Sequence, residues 1–189
     1  MLVNYYAIKA LGFEEQFRNC YHLSFEHVWL PGQKFSGRKG NWIGYHVDAV
    51  LDKAHDMAYE EVLLRNANLS DEEIHKIAEQ IAVSAVRFYI SKFDLDKKIT
   101  FDYERALDFN GESGPYCQYA CLREKKILEK IREKAEIKKL KLVKREEFEL
   151  VKELARFPSV TADALRKMAP DKIAKYTFSL SSKFNEFYN

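Results

Sequence analysis

Three side chains in this sequence stand at a spacing that could do chemistry together. Tyr116, Tyr119 and Arg123 sit at i, i+3 and i+7, which on a helix places two phenol rings and a guanidinium in one row. Such a row can stack on an unpaired nucleobase and reach a phosphate or a base edge. The same spacing also describes a tyrosine-rich core stripe with an arginine snorkelling at its rim. A second candidate is the stretch Gln33-Lys-Phe-Ser-Gly-Arg-Lys-Gly40. Backbone N–H groups at Gly37 and Gly40, with Lys34, Arg38 and Lys39 beside them, would clamp a phosphate, although an ordinary solvated basic turn has the same composition.

The elements that must position these residues follow from the flanking sequence. Asn110-Gly111 and Ser113-Gly114 are turn dipeptides, and Pro115 suits the first turn of a helix, where its missing N–H costs nothing. From there Cys117, Cys121, Leu128, Ile131 and Ala135 trace an apolar stripe beside the tyrosine row. Upstream, residues 1–12 read as a short amphipathic helix with Leu2, Tyr5, Tyr6 and Ala10 inward and Gly12 as its stop. Residues 20–30 alternate and are rich in β-formers, which predicts a strand ended by Pro31-Gly32, and 42–45 reads as a further extended piece.

The period of three and four then sets in. Val50, Leu51, Ala54, Ala58, Val62 and Leu63 predict a helix over 47–65. Ser70-Asp-Glu-Glu73 is a capping box, opening a helix that buries Ile74, Ile77, Ala78, Ile81, Ala85 and Phe88 and ends near Ser91. Between Arg123 and Arg145 positive residues outnumber negative ones, either as a solvated face or as a surface for backbone phosphates. A helix over 146–157 should stop at Pro158, a short one follows over 159–168, and Pro170 starts a last helix with Ile173, Leu180, Phe184 and Phe187 inward.

Composition narrows the class. The 189 residues are 47% hydrophobic and carry a formal net charge of +2, so polyanion binding would need local basic clusters. No apolar run is long enough to span a membrane, and the N-terminus lacks the pattern of a signal peptide. Three cysteines without a Cys-x-x-Cys spacing argue for reduced thiols in the cytoplasm rather than disulfides or zinc. The five histidines show no metal-ligand spacing and no obvious acidic partner, so no metal site is expected.

Taken together, the motifs match a family. Lys34-Phe-Ser-Gly-Arg-Lys-Gly40 after Phe25-Glu-His-Val28 resembles the mobile signature loop of class I aminoacyl-tRNA synthetases, with the arginyl type nearest. Gly114-Pro-Tyr-Cys-Gln-Tyr-Ala120 with Arg123, and the tail from Phe157-Pro158 to Lys183-Phe-Asn-Glu-Phe-Tyr188, are similar to the arginyl-tRNA synthetase anticodon-binding domain. Two departures stand in the loop: Phe35 where the family commonly has Met, and Gly37 in place of a second lysine.

The resemblance implies a mainly α fold. Residues 1–66 would be a small α/β remnant of the nucleotide-binding catalytic domain, and residues 67–189 a helical anticodon-binding bundle, truncated at its C-terminus. It implies that Lys34, Ser36, Arg38 and Lys39 steady the charge at the α-phosphate of ATP during arginyl-adenylate formation, with Mg2+ in the complete enzyme and nothing held tightly by this chain. It implies that Tyr116, Gln118, Tyr119, Leu122, Arg123 and Tyr188 line a pocket for splayed anticodon bases of arginine tRNA. No His-x-Gly-His element occurs in the sequence. The expectation is therefore a parent arginine–tRNA ligase acting on arginine, ATP and tRNA in the cytoplasm, with the missing half of the site upstream of Met1 and this chain alone inactive. The alternatives are a non-enzymatic RNA-binding module that kept the bundle and a helical scaffold without an RNA role.

Overall fold

The computed structural model describes residues 2–31, 46–66, 68–131 and 141–189. Its elements run α1 (Leu2–Ala10), α2 (Glu14–Asn19), β1 (Val28–Trp29), α3 (Val47–Arg65), α4 (Asp71–Ser91), β2 (Ile99–Thr100), α5 (Tyr103–Ala106), α6 (Gly114–Lys130), α7 (Arg145–Ala155), α8 (Phe157–Lys167) and α9 (Asp171–Tyr188). The fold is mainly α, as the helical periodicities require. The loop 33–40, the extended piece over 42–45 and Ala135 lie outside the described residues.

The centre of the packing is α4. Its capping box forms as the sequence dictates: the Ser70 hydroxyl accepts from the Glu73 N–H at 3.4 Å, and Glu73 accepts from the Ser70 N–H at 3.0 Å. Those bonds hold the Glu73 carboxyl below its ordinary range. Ile74, Ala78, Ala82 and Ala85 are buried along α4, and Ala54, Ala58 and Val62 along α3. Small residues on both sides let the two backbones approach closely. Of the expected inward residues, Ile77, Ile81 and Phe88 are only half-buried and Leu63 is exposed. The face of α4 instead continues through Val86 and Tyr89.

Over residues 20–30 the expectation of a strand is corrected to the two residues of β1, paired parallel with β2 so that Val28 faces Ile99 and Trp29 faces Thr100. A strand extends only as far as a partner backbone runs beside it, and β2 is just as short. The pair is still structural. The Phe101 N–H donates to Trp29 O at 2.7 Å, and the buried Phe101 ring meets Tyr89 and Tyr103 edge-on at 5.0 Å each. In α1, Tyr6 and Ala10 are exposed and Tyr5 is half-buried, so these three are not the inward residues expected.

The loop before α6 is tied down from both ends. The Ser113 hydroxyl accepts from the Tyr116 N–H at 3.2 Å and donates to the carbonyl of Asp108. The nearly buried Lys92 ammonium donates to the Glu112 carbonyl at 2.7 Å, with the Glu112 carboxylate at 3.4 Å. Gly114 is where α6 meets α4: a Cβ there would lie 2.5 Å from the Ser84 carbonyl oxygen. The buried face of α6 is therefore Gly114, Pro115 and Ala120. The expected apolar stripe is corrected: Cys117 is half-buried, but Cys121, Leu128 and Ile131 are exposed.

Beyond α7 the helices part at Arg156 rather than at Pro158, which sits in the first turn of α8, where a proline is tolerated. Met168 closes α8 with a left-handed φ of 48°. The last helix buries Ala174, Tyr176, Ser181 and Phe184, while Phe187 is exposed against expectation. It packs against α6, α7 and α8. The Tyr176 hydroxyl donates to the Glu153 carbonyl at 3.1 Å, and Lys172 and Lys175 pair with Asp163 and Asp171 at 2.7 Å each.

Candidate nucleic-acid interface

Two cross-helix contacts set how α6 and α9 lie. The Tyr116 ring meets Phe178 at 5.3 Å, and Arg123 bonds Asn185. Both pairs are separated by 62 residues, so the two helices run in the same direction side by side. The middle of α6 and the end of α9 then converge on one cluster. The Arg123 guanidinium carbon lies 4.5 Å from the centre of the Tyr119 ring and 4.9 Å from that of Tyr188. Its Nη1 donates to Asn185 Oδ1 at 3.0 Å and its Nη2 to the Tyr119 hydroxyl oxygen at 3.3 Å.

The hydrogen bonds fix what this cluster offers a ligand. A guanidinium only donates, so the Asn185 oxygen must face it and the amide N–H groups turn away. Tyr119, accepting from Arg123, keeps its own proton to give. Among the described residues, two of the five guanidinium N–H groups are used and three remain. The outward face is therefore rich in donors, backed by two rings that are 48% exposed each. It suits a group rich in acceptors, whether phosphate oxygens or the acceptor edge of a base, with the ring faces open to stacking. The rings and Asn185 hold the cation in one pose, so little rotamer freedom is lost when it binds.

The expected site residues do not share one surface. Tyr119, Arg123 and Tyr188 come together. Tyr116 turns its ring to Phe178 at the α6–α9 seam and is half-buried. Gln118 and Leu122 point to the other side of Tyr119, where α6 faces α4; there the Gln118 amide N–H donates to the Gln80 carbonyl at 3.3 Å. Lys34, Ser36, Arg38 and Lys39 lie outside the described residues. Asn185 was missed. Its one available signal was position, three residues before Tyr188 on the same helical face.

The histidines hold a further surprise. His55 on α3 and His75 on α4 approach to 3.3 Å between ring nitrogens, with Asp56 3.5 Å from His55 and Asp71 3.7 Å from His75. Acidic partners thus exist within four residues of each ring, against the expectation of none, whereas the approach of the two rings spans 20 residues. Among the described residues, no group of three or more His, Cys, Asp or Glu side chains is placed to hold a metal ion. Also among them, no helix is long and apolar enough to cross a membrane.

Comparison with known proteins agrees with this architecture. The family model "tRNA synthetases class I (R), catalytic domain" matches residues 1–107, and the "DALR anticodon binding domain" matches residues 117–189. The arginine–tRNA ligases of Thermococcus sibiricus and Thermococcus kodakarensis are each 45% identical to this chain, over 97% of it and 30% of their own length. The solved arginyl-tRNA synthetase of Thermus thermophilus superposes with a TM-score of 0.82 at 31% identity, over 98% of this chain and 30% of that one. The Plasmodium falciparum arginyl-tRNA synthetase shares the fold, with a TM-score of 0.71 at 19% identity. The chain spans about a third of the length of these relatives. With the catalytic-domain model matching residues 1–107 and the whole Arg123 cluster lying inside the anticodon-binding match that follows it, the chain belongs to the arginyl family of class I tRNA synthetases.

Proposed function

We propose that this chain supplies tRNA recognition to an arginine–tRNA ligase, gripping unpaired anticodon bases of arginine tRNA with Tyr119, Arg123, Asn185 and Tyr188. The observation that carries this reading is the Arg123 guanidinium, held between two exposed rings with three N–H groups left to give among the described residues. Leu122 and Gln118 extend the contact on the α4 side, and Tyr116 braces the helix from its seam with Phe178. In the same reading Lys34, Ser36, Arg38 and Lys39 close on the α-phosphate of ATP–Mg2+, where added cations act most strongly on the transition state. Arginine, ATP and tRNA are then the substrates of the parent enzyme, and the cytoplasm its compartment. In the same reading the chain divides at residues 66 and 67, between α3 and α4, while the catalytic-domain match itself runs on through α4 and α5 to residue 107.

Filter binding of arginine tRNA to the 189-residue chain tests this. Tyr119→Ala and Arg123→Ala should each weaken binding by about tenfold, in line with roughly 1–3 kcal/mol per stacked base. Both residues are exposed or half-buried, so their melting temperatures should move little. Binding and stability falling together would return the two side chains to a structural role. Steady-state ATP–pyrophosphate exchange with arginine should be absent in the isolated chain, since no His-x-Gly-His element occurs in it.

A further inference from the structure

Tyr119 belongs to two surfaces at once. On one side it carries Arg123. It also lines a groove of about 490 Å3 between α4 and α6, whose walls include Ile77, Ile81, Phe109 and Leu122. That volume lies within the range of roughly 300–1,000 Å3 in which small ligands are held. The groove has a polar end. Because the Gln80 carbonyl can only accept, the Gln118 amide nitrogen must face it at 3.3 Å, and the Gln118 side-chain oxygen is left to accept from a ligand. Lys125 stands at the rim, one helical turn beyond Cys121.

We propose that this groove seats a second unpaired base of the bound RNA, one that carries an exocyclic amino group. The base lies between the apolar walls and the Tyr119 ring, gives an amino hydrogen to the Gln118 oxygen, and leaves its phosphate to Lys125. The two sides of Tyr119 then read opposite chemistry: donors face acceptor-rich groups at Arg123, and an acceptor faces an amino group in the groove. A nucleotide is the occupant because the groove combines an aromatic wall, one directed acceptor and a cation at its mouth, and because it continues directly from the Arg123 cluster. This inference rests on reading that cluster as an RNA grip.

The test uses the 189-residue chain and uridine dodecamer RNAs containing one central adenosine or one central N6,N6-dimethyladenosine, which has lost both amino hydrogens. The wild-type chain should bind the adenosine RNA about tenfold more tightly. Gln118→Leu should abolish that preference, and Ile81→Trp, which fills the groove, should reduce the adenosine RNA to the affinity of the all-uridine dodecamer; melting curves check that both variants fold. Equal affinity for the two RNAs in the wild type, or a preference that survives Gln118→Leu, overturns the groove assignment. If Arg123→Ala still weakens every dodecamer in that case, the reading of the Arg123 cluster stands and only the groove falls. No dodecamer binding by the wild type overturns both.

Discussion

The stretch from Leu2 to Phe25 is richer in apolar residues than the block from α3 to α9, yet it buries them far less. In the first, Val3, Tyr6, Leu11, Phe13, Tyr21 and Phe25 all lie more than half exposed. In the second, alanines bury almost completely: Ala54, Ala58, Ala78, Ala82, Ala85 and Ala120 each retain 2% exposure or less. Burial here goes with small side chains at helix seams, because close backbone approach removes more surface than a large ring on an unpartnered face. The lesson is that hydrophobic content alone does not locate the core. The presence of a matching seam does.

Two glycines sharpen the contrast. At Gly114 a Cβ would meet the Ser84 carbonyl oxygen and hydroxyl at 2.5 Å and the carbonyl carbon at 2.8 Å, which is largely backbone that cannot turn aside. Gly114→Ala should push α6 off α4 and cost about 3 kcal/mol, the upper part of the range for overpacking. For a chain of this size that lowers the melting temperature by roughly 10 °C, and tRNA affinity should fall with it as the Tyr119–Arg123 row shifts. A melting temperature unchanged from wild type would mean that the seam is looser than these distances imply.

Gly12 is the opposite case. Its φ of 87° is the left-handed conformation that suits glycine, but nothing lies within 4 Å of a Cβ placed there. Gly12→Ala therefore strains the turn by roughly 1 kcal/mol without touching any packing. The main thermal transition, which reports the α3–α9 block, should not move. A shift approaching that of Gly114→Ala would show that α1 and α2 fold as part of the same cooperative unit.

What could be read from sequence divides along the same line. The Ser70–Glu73 capping box, the two long helices after His46 and Ser70, and the start of α6 at Gly114-Pro115 were legible because each is written within a few contiguous residues. The apolar stripe of α6 was misplaced for a physical reason. Helical spacing shows which residues share a face, but Gly114 and Ala120 won burial through their smallness, and that depends on where α4 passes. The strand over 20–30 was over-read because β-propensity measures fitness for a sheet, not the presence of a partner. Of the site, the Tyr119–Arg123 pair was visible at i and i+4, whereas Asn185 lies 62 residues from Arg123 and enters only through the parallel setting of α6 and α9. The pairing of His55 with His75 was hidden in the same way by the turn between α3 and α4.

The smallest effect tests the join between the two regions. The Glu26 N–H donates to Leu95 O at 2.8 Å and the Ser24 hydroxyl to Asp96 at 3.3 Å, so the first stretch is fastened to the loop after α4. That loop is fastened to α9 in turn through Asp94. Contact with Asp171, then the ammonium groups of Lys175 at 3.2 Å and Lys97 at 3.3 Å, hold the Asp94 carboxyl at about 2, below its ordinary 3.8. A carboxyl depressed in the folded state contributes stability that is complete above 3.8 and is lost as the pH falls toward 2. Asp94 is half exposed, so solvent screening limits the contribution to roughly 0.5 kcal/mol. Denaturant titrations at pH 5 and pH 2.5 should show Asp94→Asn slightly less stable than wild type at the higher pH and indistinguishable from it at the lower. A deficit that persists at pH 2.5 would mean that Asp94 holds the loop by its hydrogen-bonding shape rather than by its charge, and the join would then be insensitive to acid.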